Sequence, residues 1–140
     1  MSTFKRVPYF ISFLALLIFA LNVQMTSAQT ETVVDIVNSS SDHTILADLL
    51  RISELDRIVS QEGPFTVIAP TNKAFQAMDT DLDKLRNNHE QAQEVVLEHL
   101  FQGEVPSRDA EQALNIRITQ GDIRASNGIV HVTENVIGER

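Results

Sequence analysis

Gly63-Pro64-Phe65-Thr66-Val67-Ile68-Ala69-Pro70-Thr71-Asn72-Lys73-Ala74-Phe75 is the stretch on which the fold turns. Phe65 to Ala69 is apolar apart from Thr66, the pattern of a buried strand, and Gly63-Pro64 in front of it is a turn. Thr71 is placed to cap a helix over Asn72 to Met78, its hydroxyl accepting from the N–H of Lys73 or Ala74. Phe75 and Met78 are three residues apart and face the same way, toward a core. A buried strand thus passes directly into a capped helix, and Phe75 belongs beneath that strand.

A second stretch, Ser126-Asn127-Gly128-Ile129-Val130-His131-Val132, repeats the idea with other chemistry. Asn127-Gly128 is a strong turn signal and launches a strand over Ile129 to Val132. Upstream, Thr32 to Val37 predicts a short helix, and Asn38-Ser39-Ser40-Ser41-Asp42 is a polar break. Ile45, Leu46, Leu49 and Leu50, then Leu55, Ile58 and Val59, predict one or two amphipathic helices with a break near Ser53. Residues 79–83 are an acidic turn. Ala92, Val95, Val96, Leu100 and Phe101 have helical spacing, so a helix is expected from Glu90 to Phe101, ended by Gly103. Leu114, Ile116 and Ile118 alternate with Asn115, Arg117 and Thr119, as in a half-buried strand. Helices lead and strands dominate the second half, which suits an α+β fold.

The two stretches resemble the signature boxes of the fasciclin domain. The first box typically reads as an apolar strand, Ala-Pro-Thr-Asn or Asp, then a helix bearing Ala-Phe; Phe65 to Phe75, with Thr71, Asn72 and Phe75, is similar nearly throughout. The second typically carries Asn-Gly-Val-Ile-His-Val, and Asn127-Gly128-Ile129-Val130-His131-Val132 fits it. Asp122-Ile123 stands where the family has an Asp-Ile pair. Glu98-His99 keeps the histidine of a Tyr-His pair and lacks the tyrosine. The similarity spans most of residues 32–137. It implies N-terminal helices packed on a small sheet, and a secreted adhesion or interaction module rather than an enzyme. Between His99 and Asp122 the family usually has a longer segment with extra strands, so fewer strands than usual are expected here.

Residues 1–28 read as a signal peptide. Lys5 and Arg6 form a basic start, Phe10 to Leu21 is almost wholly apolar, and Thr26-Ser27-Ala28 offers small residues before Gln29. The apolar run is about a dozen residues, short of the ~20 needed to span a membrane; the alternative reading is an uncleaved N-terminal anchor. Cleavage after Ala28 would leave a single domain over 29–140. It would remove two cations and no acid, moving the formal charge from −8 to −10. Such a surface repels nucleic acid and anionic membranes and suits basic or neutral partners. The chain has no cysteine, so no disulfide or thiol-linked lipid supports it, and the core alone must hold an exported domain.

Candidate chemistry is sparse. His99 lies on a helix face with Val95 and Val96, and His131 lies mid-strand; each is read as a core histidine with a local hydrogen-bond partner. The four histidines lack zinc spacing, and no nucleophile elbow is present. Asp79, Asp81, Asp83 and Glu90 occupy the spacing of an EF-hand calcium loop. Lys84 stands where that loop needs glycine, so the opposing reading is an acidic helix start in which Asp81 caps and Asp83 meets the dipole. No cofactor is implied. Asn38-Ser39-Ser40 is an N-glycosylation sequon in a host with that machinery.

These features predict a secreted, periplasmic or cell-surface fasciclin-like module that binds an extracellular protein or surface polymer. The alternative is a secreted carrier or sensor of a small ligand, which would need a ligand-sized apolar cavity. With strands missing, Leu114, Ile116 and Ile118 are expected to form an exposed line that meets a partner or a second copy.

Overall fold

A computed structural model describes residues 30–138; the expected signal segment lies outside them. Three helices come first: α1 (Val33–Ser39), α2 (Thr44–Ile52) and α3 (Leu55–Gln61). Strand β1 (Phe65–Pro70) follows, then α4 (Asn72–Gln76), α5 (Leu82–Arg86), α6 (His89–Glu98), β2 (Leu100–Gln102), α7 (Ser107–Leu114), β3 (Ile118–Ala125) and β4 (Gly128–Thr133). The sheet order is β2-β1-β4-β3. β1 pairs antiparallel with β2 and parallel with β4, while β4 and β3 form an antiparallel hairpin.

The central place of β1 explains its composition. All six of its residues are buried, as a strand flanked on both edges and covered by helices requires. The core beneath it joins Val33 and Val37 of α1, Leu46 and Leu49 of α2, Val59 of α3, Phe75 of α4 and Val96 of α6. Phe75 is fully buried, where the Thr71 cap puts it: the Thr71 hydroxyl accepts from the Ala74 N–H at 3.3 Å. The break expected near Ser53 is also there. Ser53 ends α2, and Glu54 takes a left-handed conformation (φ 58°) before α3. At the start of β4, a side chain on Gly128 would fall on the Phe65 carbonyl oxygen. Glycine there permits the parallel pairing of Phe65 with Gly128.

Two elements differ from the sequence expectation. The helix expected through Phe101 stops at Glu98, and Leu100 and Phe101 form β2. The cause is tertiary: β1 would otherwise have an open edge, and Val67 and Thr66 pair with Leu100 and Phe101. The His99 carbonyl accepts from the Ile68 N–H at 2.8 Å and fixes the turn between the two elements. Gly103 (φ 84°) follows the strand rather than the helix.

The strand expected over Leu114 to Ile118 is not one element. Leu114 ends α7, Asn115 is left-handed (φ 51°), and only Ile118 opens β3. The alternation of apolar residues there spans a helix end and a connection. Helix α7 itself (Ser-Arg-Asp-Ala-Glu-Gln-Ala-Leu) escaped the apolar count because Ala110 is its single fully buried residue.

Candidate functional site

Asn72, Asn127 and Asp122 share one role: they cap helices that are remote in sequence. A helix leaves its first N–H groups and last carbonyls without partners, and these need caps. Helix α2 begins at His43, whose side chain makes no cap. Asn72 supplies one from across the fold. Its Oδ1 accepts from the Ile45 N–H at 3.0 Å, and its Nδ2 donates to the Ser41 carbonyl and the Thr44 hydroxyl. Its own N–H donates to the Asp42 carbonyl at 2.7 Å.

Asn127 does the same at two helices. Its Oδ1 accepts from the Val33 N–H at the start of α1, at 2.9 Å. Its Nδ2 donates to the carbonyls of Val59 and Glu62 at the end of α3. Its backbone carbonyl accepts from the Phe65 N–H. One turn residue thus joins α1, α3 and β1. Thr32 assists locally at α1 through a capping box with Asp35, and the Thr32 backbone and hydroxyl hold the Asp35 carboxyl below its ordinary range.

Asp122 is the third. Helix α7 is preceded by Pro106, which offers no side-chain cap. The Asp122 carboxylate accepts from both the Ser107 hydroxyl, at 2.8 Å, and the Ser107 N–H, at 3.1 Å. These bonds, the hydroxyl's first, hold the Asp122 carboxyl below the usual carboxylate range. Asp122 has a left-handed backbone (φ 56°) within the irregular pairing of β3 with β4, as at a bulge. That turn directs its N–H onto His131 Nδ1 at 2.9 Å.

The two histidines of the family motifs, His99 and His131, are both internal. His131 is fully buried; its Nδ1 accepts from Asp122, so its Nε2 carries the proton it donates to the Val105 carbonyl at 2.7 Å. His99 is 1% exposed. Its Nδ1 donates to the Val95 carbonyl and its Nε2 accepts from the Ile137 N–H, at 2.7 and 2.8 Å. Burial depresses its pKa to about 4, so the ring is neutral and tethers the C-terminal segment to α6. Every ring nitrogen of the pair is committed within the fold. The Ser107 hydroxyl donates to a carboxylate and serves no imidazole. These residues form no acid–base or nucleophile arrangement. The sequence reading missed Thr66, whose buried hydroxyl donates to the Gly103 carbonyl and accepts from the Val105 N–H. A lone hydroxyl inside an apolar strand was its signal.

The calcium reading is corrected. Asp81 caps α5 by accepting from the N–H groups of Asp83 and Lys84, and Asp83 lies in the first helical turn. A helix over Leu82–Arg86 removes the loop that calcium would need. Among the described residues no group of three or more acidic, histidine or cysteine side chains is placed to hold a metal ion, so Asp79, Asp81, Asp83 and Glu90 do not converge. Leu114, Ile116 and Ile118 are each half-buried, and Ile123 beside Asp122 packs against the core. Asn38 is exposed in the last turn of α1.

The fasciclin-domain model matches residues 41–117, from the entry of α2 to the connection before β3. The chain belongs to the fasciclin-domain family. The Synechocystis sp. protein sll1483 is 25% identical over 138 residues, covering 81% of this chain and 77% of that protein. Transforming growth factor-beta-induced protein ig-h3 of Oryctolagus cuniculus is 26% identical over 120 residues, covering 83% of this chain. The chain spans only 18% of the length of that second relative. Among solved structures, a FAS1 domain pair from the insect cell adhesion molecule Fasciclin I superimposes with a TM-score of 0.64 at 16% identity. That match covers 76% of this chain and 50% of the pair, and it establishes the fasciclin fold.

Proposed function

We propose that this chain is an exported fasciclin module for adhesion, binding an extracellular protein or surface polymer. The observation that carries the reading is where its motif chemistry goes. Asn72, Asn127, Asp122, His99 and His131 direct their hydrogen bonds to other parts of the fold, which suits a scaffold that presents a surface rather than one that turns over a substrate. Fasciclin domains are generally adhesion modules, and the insect neighbour is by its title a cell adhesion molecule.

The surface favoured here is the α7–β3 margin. β3 ends the sheet, and Leu114, Ile116 and Ile118 lie along its approach with part of each side chain exposed. Edge strands offer unpaired backbone groups, and half-exposed apolar residues beside them add contact area. The irregular pairing of β3 limits continuous strand addition, so side-chain contact is the expected mode. The chain's negative charge favours a basic or neutral partner.

The test is cross-linked capture by the chain lacking residues 1–28 from its host's intact cell surface, followed by binding measurements with the purified partner. Saturable binding, lost on Ile118→Lys, supports the reading. Binding that is indifferent to this margin moves the surface elsewhere, and no surface binding at all removes the adhesion role. Export is tested by mass: the mature chain should begin at Gln29.

A further inference from the structure

We propose that a cavity between α1 and the sheet binds a small neutral ring bearing one hydroxyl, with His43 as its polar contact. The cavity is about 150 Å³. Its apolar walls are Ile36 and Val37 from α1, Ala69 from β1, Ile123 from β3, and Val130 and Val132 from β4. The exposed Asp42 and Gln120 stand at its rim. A dry cavity of roughly this size accepts benzene, so the space matches one six-membered ring.

The second observation is an unpaired polar atom. His43 lines this cavity and is 7% exposed. Its Nδ1 shares a 2.7 Å hydrogen bond with the Ser40 hydroxyl, while its Nε2 is buried with no partner. Buried polar atoms are nearly always paired, and an exception on a cavity wall marks a place for a missing partner. Burial holds the imidazole below the ordinary histidine range, against smaller opposing effects of the Ala69 backbone carbonyl, which approaches the ring without making a well-formed hydrogen bond to Nε2, and of the Asp42 charge. The ring is therefore neutral, and Nε2 is a donor or an acceptor according to the direction of the Ser40 bond.

The ligand chemistry follows. A hydroxyl both donates and accepts, so it pairs with Nε2 in either tautomer. A carboxylate would meet Asp42 at the rim and a chain of net charge −8, and would lose its hydration among apolar walls. A plain hydrocarbon would fill the space and leave Nε2 unpaired. A monocyclic phenol satisfies all three conditions. The inference is independent of the adhesion reading, because the cavity lining includes none of Leu114, Ile116 or Ile118.

The test is NMR titration of the isotope-labelled mature chain with phenol, toluene and benzoate. Phenol should shift the methyls of Ile36, Ile123 and Val132 and the His43 Nε2 resonance saturably, with roughly millimolar affinity. Toluene and benzoate should bind at least about tenfold more weakly. His43→Phe keeps a ring and removes the nitrogen; it should weaken phenol about tenfold and leave toluene unchanged. Val132→Phe, at a half-buried position, should fill the space and abolish binding while the chain stays folded. Absence of saturable shifts with phenol overturns the proposal. So does equal affinity for phenol and toluene in the unmodified chain, or a water on Nε2 that phenol fails to displace.

Discussion

Asp122 caps Ser107: one carboxylate takes both the N–H and the hydroxyl of the residue that opens α7, fifteen positions earlier in the chain. Pro106 leaves that helix without a local cap, so the first turn of α7 draws its cap from the hairpin. The same dependence ties α2 to Asn72 and α1 to Asn127. Each helix start is thereby tied to one particular turn.

The Ser107 bonds depress the Asp122 pKa. A depressed carboxyl stabilises the fold above its unfolded pKa, and that contribution is lost as pH falls through the folded value. In an acid titration the Ser107 amide resonance should follow the Asp122 carboxyl, with a midpoint below that of a free aspartate. Asp122→Asn should remove the step. An ordinary midpoint would mean that the cap is not formed in solution.

His99 gives the opposite group with the same pH direction. Its folded pKa of about 4 lies below the ordinary 6.5, so the unfolded chain binds the proton more tightly. Stability is complete above about pH 6.5 and falls between there and pH 4, by about 3 kcal/mol at the lower end. Urea titrations at pH 7 and pH 4 measure the loss, and His99→Leu should flatten this part of it. A His99 ring that titrates near pH 6.5 by NMR would contradict its burial.

Phe75 is fully buried under β1. Phe75→Ala should cost about 3–5 kcal/mol in a denaturant titration, the range for a buried aromatic, which is a large share of a small domain's stability. A loss below about 1 kcal/mol would place the ring outside the core.

Ile116→Lys separates two roles for the α7–β3 margin. If the margin meets a partner or a second copy, the variant stays folded and loses association, and light scattering of the unmodified chain shows mass that rises with concentration. If the half-buried Ile116 contributes mainly to the core, the variant unfolds and the unmodified chain scatters as a monomer.

Much of this was legible in the residues. Phe65 to Phe75 gave strand, cap and buried ring, because each signal there is local: apolar continuity, a threonine, then spacing by three. The two overturned elements were the ones set from elsewhere. Leu100 and Phe101 have helical spacing, and only the open edge of β1 turns them into a strand. Leu114, Ile116 and Ile118 alternate, yet a left-handed Asn115 divides them between a helix and a strand. The trans caps were legible by type and not by target. Asparagine and aspartate beside turns announce local capping, whereas Val33, Ile45 and Ser107 are their partners 94, 27 and 15 residues away.

Amide hydrogen exchange in Asn72→Ala, Asn127→Ala and Asp122→Ala tests the capping account most directly, with each variant's rates compared with its own global stability. The account predicts three separate losses of protection: at Ile45 for the first, at Val33 for the second and at Ser107 for the third, with the other two helix starts unchanged in each. Uniform loss across all three helix starts, or no loss at the named amide, would contradict it.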